Sequence, residues 1–228
     1  MKNFLHDEFK QLGTDYDSIE EVAQYDQRMR RFRDIDGENR ELIKLAGLKP
    51  GFDVLEIGTG TGAFARQAAK AGARVRAIDI SKIMLEYARK CAAEEKLDQV
   101  SFDLAGFLSF EAEPDSYDAV VTGLALHHLS DVWKAVALRK INRVLRPGGV
   151  LLLLDVVFDW KNETPEAYFE RILEYAPGSK DNFAKHIADE LSTLTWIMNG
   201  LLERAGFTIE ADHCRNDFLH IYQCRKTD

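Results

Sequence analysis

The sequence has few cysteines, and none of them form a pair at metal-binding spacing. Cys91, Cys214 and Cys224 are the three thiols in 228 residues, and no C-x-x-C motif occurs. An odd number of widely separated cysteines excludes a disulfide framework and favours a reducing compartment. We therefore expect a cytoplasmic protein, and nothing around the three thiols indicates a catalytic one.

Long apolar runs are also missing. The longest run, residues 150–157, is interrupted by Asp155 and is far shorter than the ~20 residues that a membrane-spanning helix needs. The opening residues, MKNFLHDEFK, contain no apolar segment of the kind that signal peptides carry. We expect neither a membrane span nor a secretory signal.

Positive charge is scarce, since 30 Lys and Arg face 38 Asp and Glu for a net charge of -8. Nucleic acids are bound largely through clustered basic residues, so the balance argues against a nucleic-acid partner. The basic run Arg28, Arg30, Arg31 and Arg33 is a local exception. A solvated helix face explains it, and contact with a carboxylate or phosphate of a small ligand is the alternative. We expect a small-molecule partner, and a monomer or homodimer.

Repeats, low-complexity tracts and Pro/Gly-rich linkers are absent, so the chain is predicted to form a single domain. Helical spacing over residues 19–46 predicts two helices, broken at Asp36-Gly37, with the second over residues 38–46. We assign residues 1–47 to a helical lid, 48–157 to a cofactor-binding core, and 158–228 to substrate-side helices and a terminal hairpin.

Apolar and amphipathic segments alternate through the core. Strands are predicted over residues 53–57, 74–80, 100–104, 117–122 and 150–157, and helices over 63–71, 81–96 and 131–145. Further helices are predicted over 164–175 and 190–205, and hairpin strands over 207–211 and 217–224. This order predicts an α/β fold, a doubly wound, mostly parallel seven-stranded sheet with an antiparallel C-terminal strand.

A glycine loop, EIGTGTG at residues 56–62, joins the first core strand to its helix. Glycines let a backbone turn sharply and approach a ligand closely, and a helix start offers unpaired N–H groups. Asp79 ends the next strand, where a carboxylate can accept both ribose hydroxyls of an adenosine. The spacing G-x-G-x-G differs from the dinucleotide pattern G-x-G-x-x-G, which argues against the alternative of a nicotinamide-dependent oxidoreductase.

Four segments occur in a familiar order: VLEIGTGTG, RAIDIS, YDAVVTGLALHHLSD and LRPGGVLLLLD. Together they resemble the class I S-adenosylmethionine-dependent methyltransferases, and in particular the small-molecule branch called type 11. The likeness is close over residues 49–155 and looser to the end, through LLERAGFTIE. The resemblance implies a Rossmann-like fold and methyl transfer from S-adenosylmethionine to a small molecule, with S-adenosylhomocysteine as product.

The resemblance also implies roles for single residues. The glycines would line the methionine part of the cofactor, Asp79 would take the ribose hydroxyls, and Ile80 would pack on the adenine. The implied cofactor contacts are Glu56, Gly58, Thr59, Gly60, Gly62, Asp79, Ile80, Met84, Gly106, Phe107 and Leu124. Glu56 is alternatively a structural carboxylate that binds loop amides, and Met84 is alternatively simple helix packing.

One position departs from the family pattern. The family usually has an acidic residue after the third strand, near the adenine amino group, and this sequence has Gly106 there. The contact is then missing or made by backbone groups, with Phe107 flanking the ring. The missing acid keeps open an alternative function, a non-catalytic S-adenosylmethionine-binding protein or a subunit of a complex.

Methyl transfer leaves no obligatory catalytic motif, because the cofactor brings the activated group and the protein mainly aligns donor and acceptor. His127 or His128, after the fourth strand, and Tyr25 of the lid are the candidates for a catalytic role. A loop-ordering role is the alternative for the histidines. We expect no metal, because no convincing cysteine or carboxylate partner lies near this pair in the sequence.

Other side chains are available to the substrate side. Tyr16, Arg28 and Arg31 of the lid could reach a carboxylate. Phe183, Trp196, Ile197 and Met198 either wall a substrate pocket or pack in the core. A protein or nucleic-acid methyltransferase is a further alternative, but the sequence has no N/D-P-P-Y-type or Pro-Cys signature of base methylation.

Overall fold

The computed structural model describes residues 6–10, 18–32, 34–175 and 180–227. The helices are α1 (Ile19–Phe32), α2 (Ile35–Leu45), α3 (Ala63–Lys70), α4 (Lys82–Glu94), α5 (Asp131–Val144), α6 (Pro165–Ile172), α7 (Lys180–Asp189) and α8 (Thr195–Arg204). The strands are β1 (Asp53–Ile57), β2 (Arg74–Asp79), β3 (Val100–Leu104), β4 (Tyr117–Gly123), β5 (Leu145–Phe158), β6 (Thr193–Leu194), β7 (Phe207–Arg215) and β8 (Leu219–Lys226). Within these described ranges, no helix has the length and apolar character to cross a bilayer.

The sheet has the strand order β3-β2-β1-β4-β5-β8-β7, and the short β6 pairs with β5 off this path. Strands β1 to β5 are mutually parallel, whereas β8 runs antiparallel to both β5 and β7. A tight turn with positive φ at Asn216 and Asp217 allows this reversal without a helical crossover. The predicted mostly parallel sheet with an antiparallel C-terminal strand is confirmed, and β6 adds an eighth strand.

Helices cover both faces of the sheet, as a parallel sheet requires. On one face α5 and α8 pack against the central strands through residues such as Leu138 and Met198. On the other face α2 and α3 do so through Leu42 and Phe64. The near-continuous apolar runs of β4 and β5 follow from this double burial. The polar side chains therefore concentrate at the strand ends, where the site lies.

Several predicted boundaries are wrong, and β5, for example, begins at Leu145 rather than at residue 150. Asp36-Gly37 does not break the lid helices, because Asp34 caps α2 and accepts a hydrogen bond from Gly37 N at 2.9 Å. The helix predicted over residues 190–205 begins only at Thr195, since the two residues before it pair with Val157 and Phe158 as β6. Helix α7, which contains His186, was not predicted.

Candidate functional site

A cavity of about 360 Å³ opens at the carboxyl ends of the parallel strands. It lies at the ends of β1 and β4, the two neighbouring strands between which the strand order reverses. Open α/β sheets bind their ligands at this point. Helices α1 and α2 contribute to its lining as well. Of the expected cofactor contacts, those in the lining are Glu56, Gly58, Thr59, Gly60, Asp79, Ile80, Met84, Gly106, Phe107 and Leu124.

The glycine loop is hydrogen-bonded to the end of β2. Gly58 N and Thr59 N both donate to the carbonyl of Ile78, at 2.9 and 3.0 Å. Gly58 has a φ of +75°, and a Cβ there would lie 2.5 Å from the Cβ of Ala125. Gly60 has a φ of +53°, but a Cβ there would meet no atom within 4 Å. The backbone at Gly60 therefore borders open space inside the cavity.

Gly62 does not line the cavity, contrary to the role that the resemblance implied. It stands at the N-terminus of α3, and a Cβ there would lie 2.9 Å from the Cβ of Ala88 in α4. Its glycine character is explained by the close packing of these two helices. Its neighbours Thr61 and Ala63 line the cavity instead.

Asp79 faces the cavity from the end of β2. Its Oδ2 accepts from Gly60 N and its Oδ1 from Ser81 N, both at 2.8 Å. Burial raises the pKa of this carboxyl, and the backbone hydrogen bonds act in the opposite direction. A carboxylate has about four lone-pair positions, so Asp79 can still accept from a ligand hydroxyl. The arrangement suits a ribose diol.

Glu56 is a buried carboxyl at the other side of the loop. It accepts a hydrogen bond from Thr59 Oγ1 at 2.6 Å, so it does order the loop. Burial raises its pKa to about 8, with the charge of Asp79 adding to the effect. Since Glu56 also lines the cavity, a cationic ligand group beside it would favour its ionised form.

Glu8 is a cavity residue that the sequence analysis missed. Its carboxylate is buried, and its oxygens accept from Leu108 N at 2.9 Å and Ser109 N at 2.7 Å. A Cβ on Gly106 would lie 2.5 Å from Glu8 Oε2. A carboxylate thus lies beside Gly106, where the family usually has an acidic residue, and it comes from a residue 100 positions before Leu108 that no local pattern in the sequence marks.

The two adjacent histidines have different surroundings. His128 lines the cavity, whereas His127 is buried behind it, between the carboxylates of Asp155 and Glu190. Burial, and next the charge of His127, lower the pKa of His128 to about 4. Burial alone would lower the pKa of His127, but the two carboxylates outweigh it and raise the pKa to about 9. Of the pair, His128 is the one placed to touch a substrate.

Of the remaining candidates, Tyr25 lines the cavity. Tyr16 and the side chains of Arg28 and Arg31 lie outside the described residues. Phe183 and Met198 are buried in apolar clusters, and Trp196 is 71% exposed. Together with Ile197 they are absent from the lining, so the packing alternative holds for the buried two.

Strand order, glycine loop and strand-end carboxylate define a class I, Rossmann-like enzyme that binds an adenosine cofactor. Comparison with known proteins agrees. The family described as "Methyltransferase domain" matches residues 54–149. A methyltransferase of Geobacillus kaustophilus is 30% identical over 207 residues, 91% of this chain and 90% of that protein. The chain therefore belongs to the methyltransferase family.

Solved structures share the fold. A S-adenosylmethionine-dependent methyltransferase from Aquifex aeolicus superimposes with a TM-score of 0.65 at 19% identity, covering 92% of this chain and 99% of that one. Phosphoethanolamine N-methyltransferase 2 of Haemonchus contortus, solved with S-adenosylmethionine, gives a TM-score of 0.69 at 19% identity, covering 84% and 53%. S-adenosylmethionine, which the names of both neighbours carry, is the cofactor predicted for this chain from its sequence.

Proposed function

We propose that this methyltransferase transfers the methyl group to a small-molecule acceptor bound in the same cavity. The carrying observation is that α1 and α2 contribute Tyr25, Met29, Asn39 and Leu42 to the lining above the strand ends. A concave, largely apolar site with a few polar groups is typical of small-molecule recognition. A protein segment or a nucleic acid would need an open groove over the strand ends. Here α1 and α2 line that space instead.

We place the cofactor by the chemistry of the lining. Asp79 accepts the ribose hydroxyls, and Glu56 faces the cationic methionine end. Glu8 accepts from the exocyclic amino group of the adenine, with Ile80 and Phe107 against the ring. When bound, the cofactor supplies the activated methyl group on its sulfonium.

At the acceptor end the protein's own work is alignment. His128 and Tyr25 are the expected catalytic candidates that line the cavity, and either can hold an acceptor hydroxyl or amine by a hydrogen bond. His127 acts only through its neighbour, because it does not line the cavity. Residues 1–47 serve as the lid, with the described α1 and α2 closing the acceptor side.

The test is a search for turnover. S-adenosylhomocysteine formation is measured with panels of small amines, carboxylates, hydroxyl compounds and thiols, and in parallel with total protein and total RNA as acceptors. The proposal expects turnover in one small-molecule class, lost in His128→Ala with S-adenosylmethionine binding retained. Turnover confined to the protein or RNA fractions would contradict it.

A further inference from the structure

Behind His128, three donor side chains from distant segments converge. His127 lies in the turn after β4, whereas His186 lies in α7 and Glu190 follows the last residue of that helix. Their ligand atoms all fall within 4.8 Å of one another. His127 Nε2 is 2.7 Å from Glu190 Oε2, and His186 Nδ1 is 2.8 Å from Glu190 Oε1. This is two imidazoles and one carboxylate around a common point.

Asp155 fixes which nitrogen of His127 faces that point. The buried Asp155 Oδ1 is hydrogen-bonded to His127 Nδ1, so Nδ1 keeps its proton when an ion replaces the proton of Nε2. Nε2 lies 2.7 Å from Glu190 Oε2, so a proton fills this gap when no ion is bound, and an ion bound at about 2.0–2.2 Å from each atom would move them slightly apart. A carboxylate behind a ligating histidine is the usual arrangement at metal sites.

His128 favours the metal ion over protons alone. Its Nδ1 is buried and, among the described residues, has no hydrogen-bond partner. This nitrogen lies 4.0 Å from Glu190 Oε2. A buried nitrogen left without a partner is unfavourable, whereas coordination would use its lone pair. The cluster thus offers a fourth donor that an ion-pair network does not engage.

We propose that His127 Nε2, His186 Nδ1 and the Glu190 carboxylate bind one divalent transition-metal ion, with His128 Nδ1 as a fourth ligand. Imidazole nitrogens with one carboxylate and no thiolate suit Zn²⁺ and related first-row ions. Four protein ligands make a closed, structural site. No metal was expected from the sequence, because His186 and Glu190 are far along the chain from the histidine pair.

The polypeptide holds this site together independently of an ion. Leu191 N donates to the carbonyl of His127 at 2.9 Å, and the buried Lys134 donates to the carbonyl of Leu191. The ion therefore adds to an existing contact. The bound ion links α7 to the turn that carries His128. It thereby holds the His128 imidazole, which lines the cavity, in one position.

The direct test uses the full chain without a histidine tag, freed of metal by a chelator. Zn²⁺ is titrated against a chromophoric competitor, and Co²⁺ binding is followed by visible absorption. We expect one ion per chain and a four-coordinate Co²⁺ spectrum without a thiolate charge-transfer band. The missing band excludes binding at Cys91, Cys214 or Cys224.

Variants locate the ion. Glu190→Gln and His186→Ala each remove a ligand. Loss of an outer-shell partner, as in Asp155→Asn, typically weakens metal binding about 10- to 100-fold. We expect each ligand variant to weaken Zn²⁺ binding by more than that. Asp189→Asn changes the adjacent exposed carboxylate, and His213→Ala removes an exposed histidine on β7. Both controls are expected to bind Zn²⁺ like the wild type.

A wild-type chain that takes up no stoichiometric ion overturns the proposal, as does binding that both ligand variants leave unchanged. The cluster is then a protonated histidine–carboxylate network. Should a ligand variant fail to fold, the wild-type Co²⁺ spectrum and a Zn²⁺-dependent rise in the melting temperature still decide, because a bound ion stabilises only the folded state.

Discussion

The carboxylate of Glu8 occupies the space that a side chain at Gly106 would fill. A Cβ on Gly106 would lie 2.5 Å from Glu8 Oε2 and 2.8 Å from Ile80 Cγ2. One acidic group fits at this end of the cavity, and it comes here from the N-terminal segment rather than from the loop after β3. Gly106 therefore leaves the space that the carboxylate of Glu8 fills.

Replacing Glu8 by Gln is expected to lower affinity for S-adenosylhomocysteine about tenfold, because a hydrogen bond to a charged acceptor contributes about 1.5–3 kcal/mol. The wild type is also expected to discriminate against the inosine analogue, whose exocyclic group is an oxygen. Calorimetry with both ligands measures this. Asp7→Asn, a change at the neighbouring exposed carboxylate, serves as the control.

A swap separates the adenine contact from simple loss of packing. Glu8→Ala alone should weaken binding, and the added Gly106→Asp should restore much of it by returning a carboxylate to the same space. If Glu8→Gln and Glu8→Ala both bind like wild type, Glu8 only caps the amides of Leu108 and Ser109.

Gly58 and Gly60 should differ on substitution by alanine although both have positive φ. Each change costs about 1–2 kcal/mol of left-handed strain. Gly58→Ala also forces its Cβ against Ala125, for a further ~1–3 kcal/mol of overpacking. Urea unfolding should show the larger loss for Gly58→Ala. Gly60→Ala should instead lose cofactor affinity, because its Cβ enters the cavity. Equal unfolding losses would contradict the loop geometry.

The buried carboxyl of Glu56 should make stability depend on pH. Its folded pKa, about 8, exceeds the ordinary value of 4.5, so between these values the folded state binds more protons than the unfolded state. Stability from this group is full below pH 4.5 and falls as pH rises to about 8, by a few kcal/mol at most. Glu56→Gln removes this decline.

Unfolding free energies of the unliganded wild type and Glu56→Gln at pH 5 and pH 8 test this. The variant's stability relative to wild type should increase with pH. Parallel pH dependences for the two proteins would show that Glu56 is ionised throughout.

The sequence was sufficient for features encoded locally. Alternating apolar segments predicted the core strands, and Asp79 followed from its place after the second of them. Gly58 and Gly60 were likewise assigned from the loop pattern. Each of these features depends on a few residues that are neighbours in the sequence. A single sequence was therefore enough to predict them.

Features that depend on contact across the chain were not predictable. Glu8 reaches Leu108 over 100 residues, and Glu190 meets His127 from a distant segment of the chain. Gly62 looked like a ligand-binding glycine, but packing of α3 against Ala88 decides its role. Tertiary neighbours, which a single sequence does not display, set all three outcomes.

The central claim is that S-adenosylmethionine binds at this strand edge through Asp79. Calorimetry with S-adenosylmethionine and S-adenosylhomocysteine on wild type, Asp79→Asn and Asp103→Asn tests it most directly. Asp103 is a half-exposed strand carboxylate that pairs with Arg76 and is absent from the cavity lining. The account predicts equal binding by wild type and Asp103→Asn, and about a 100-fold loss in Asp79→Asn as two hydroxyl contacts weaken. No binding by folded wild type, or wild-type affinity in Asp79→Asn, would contradict it.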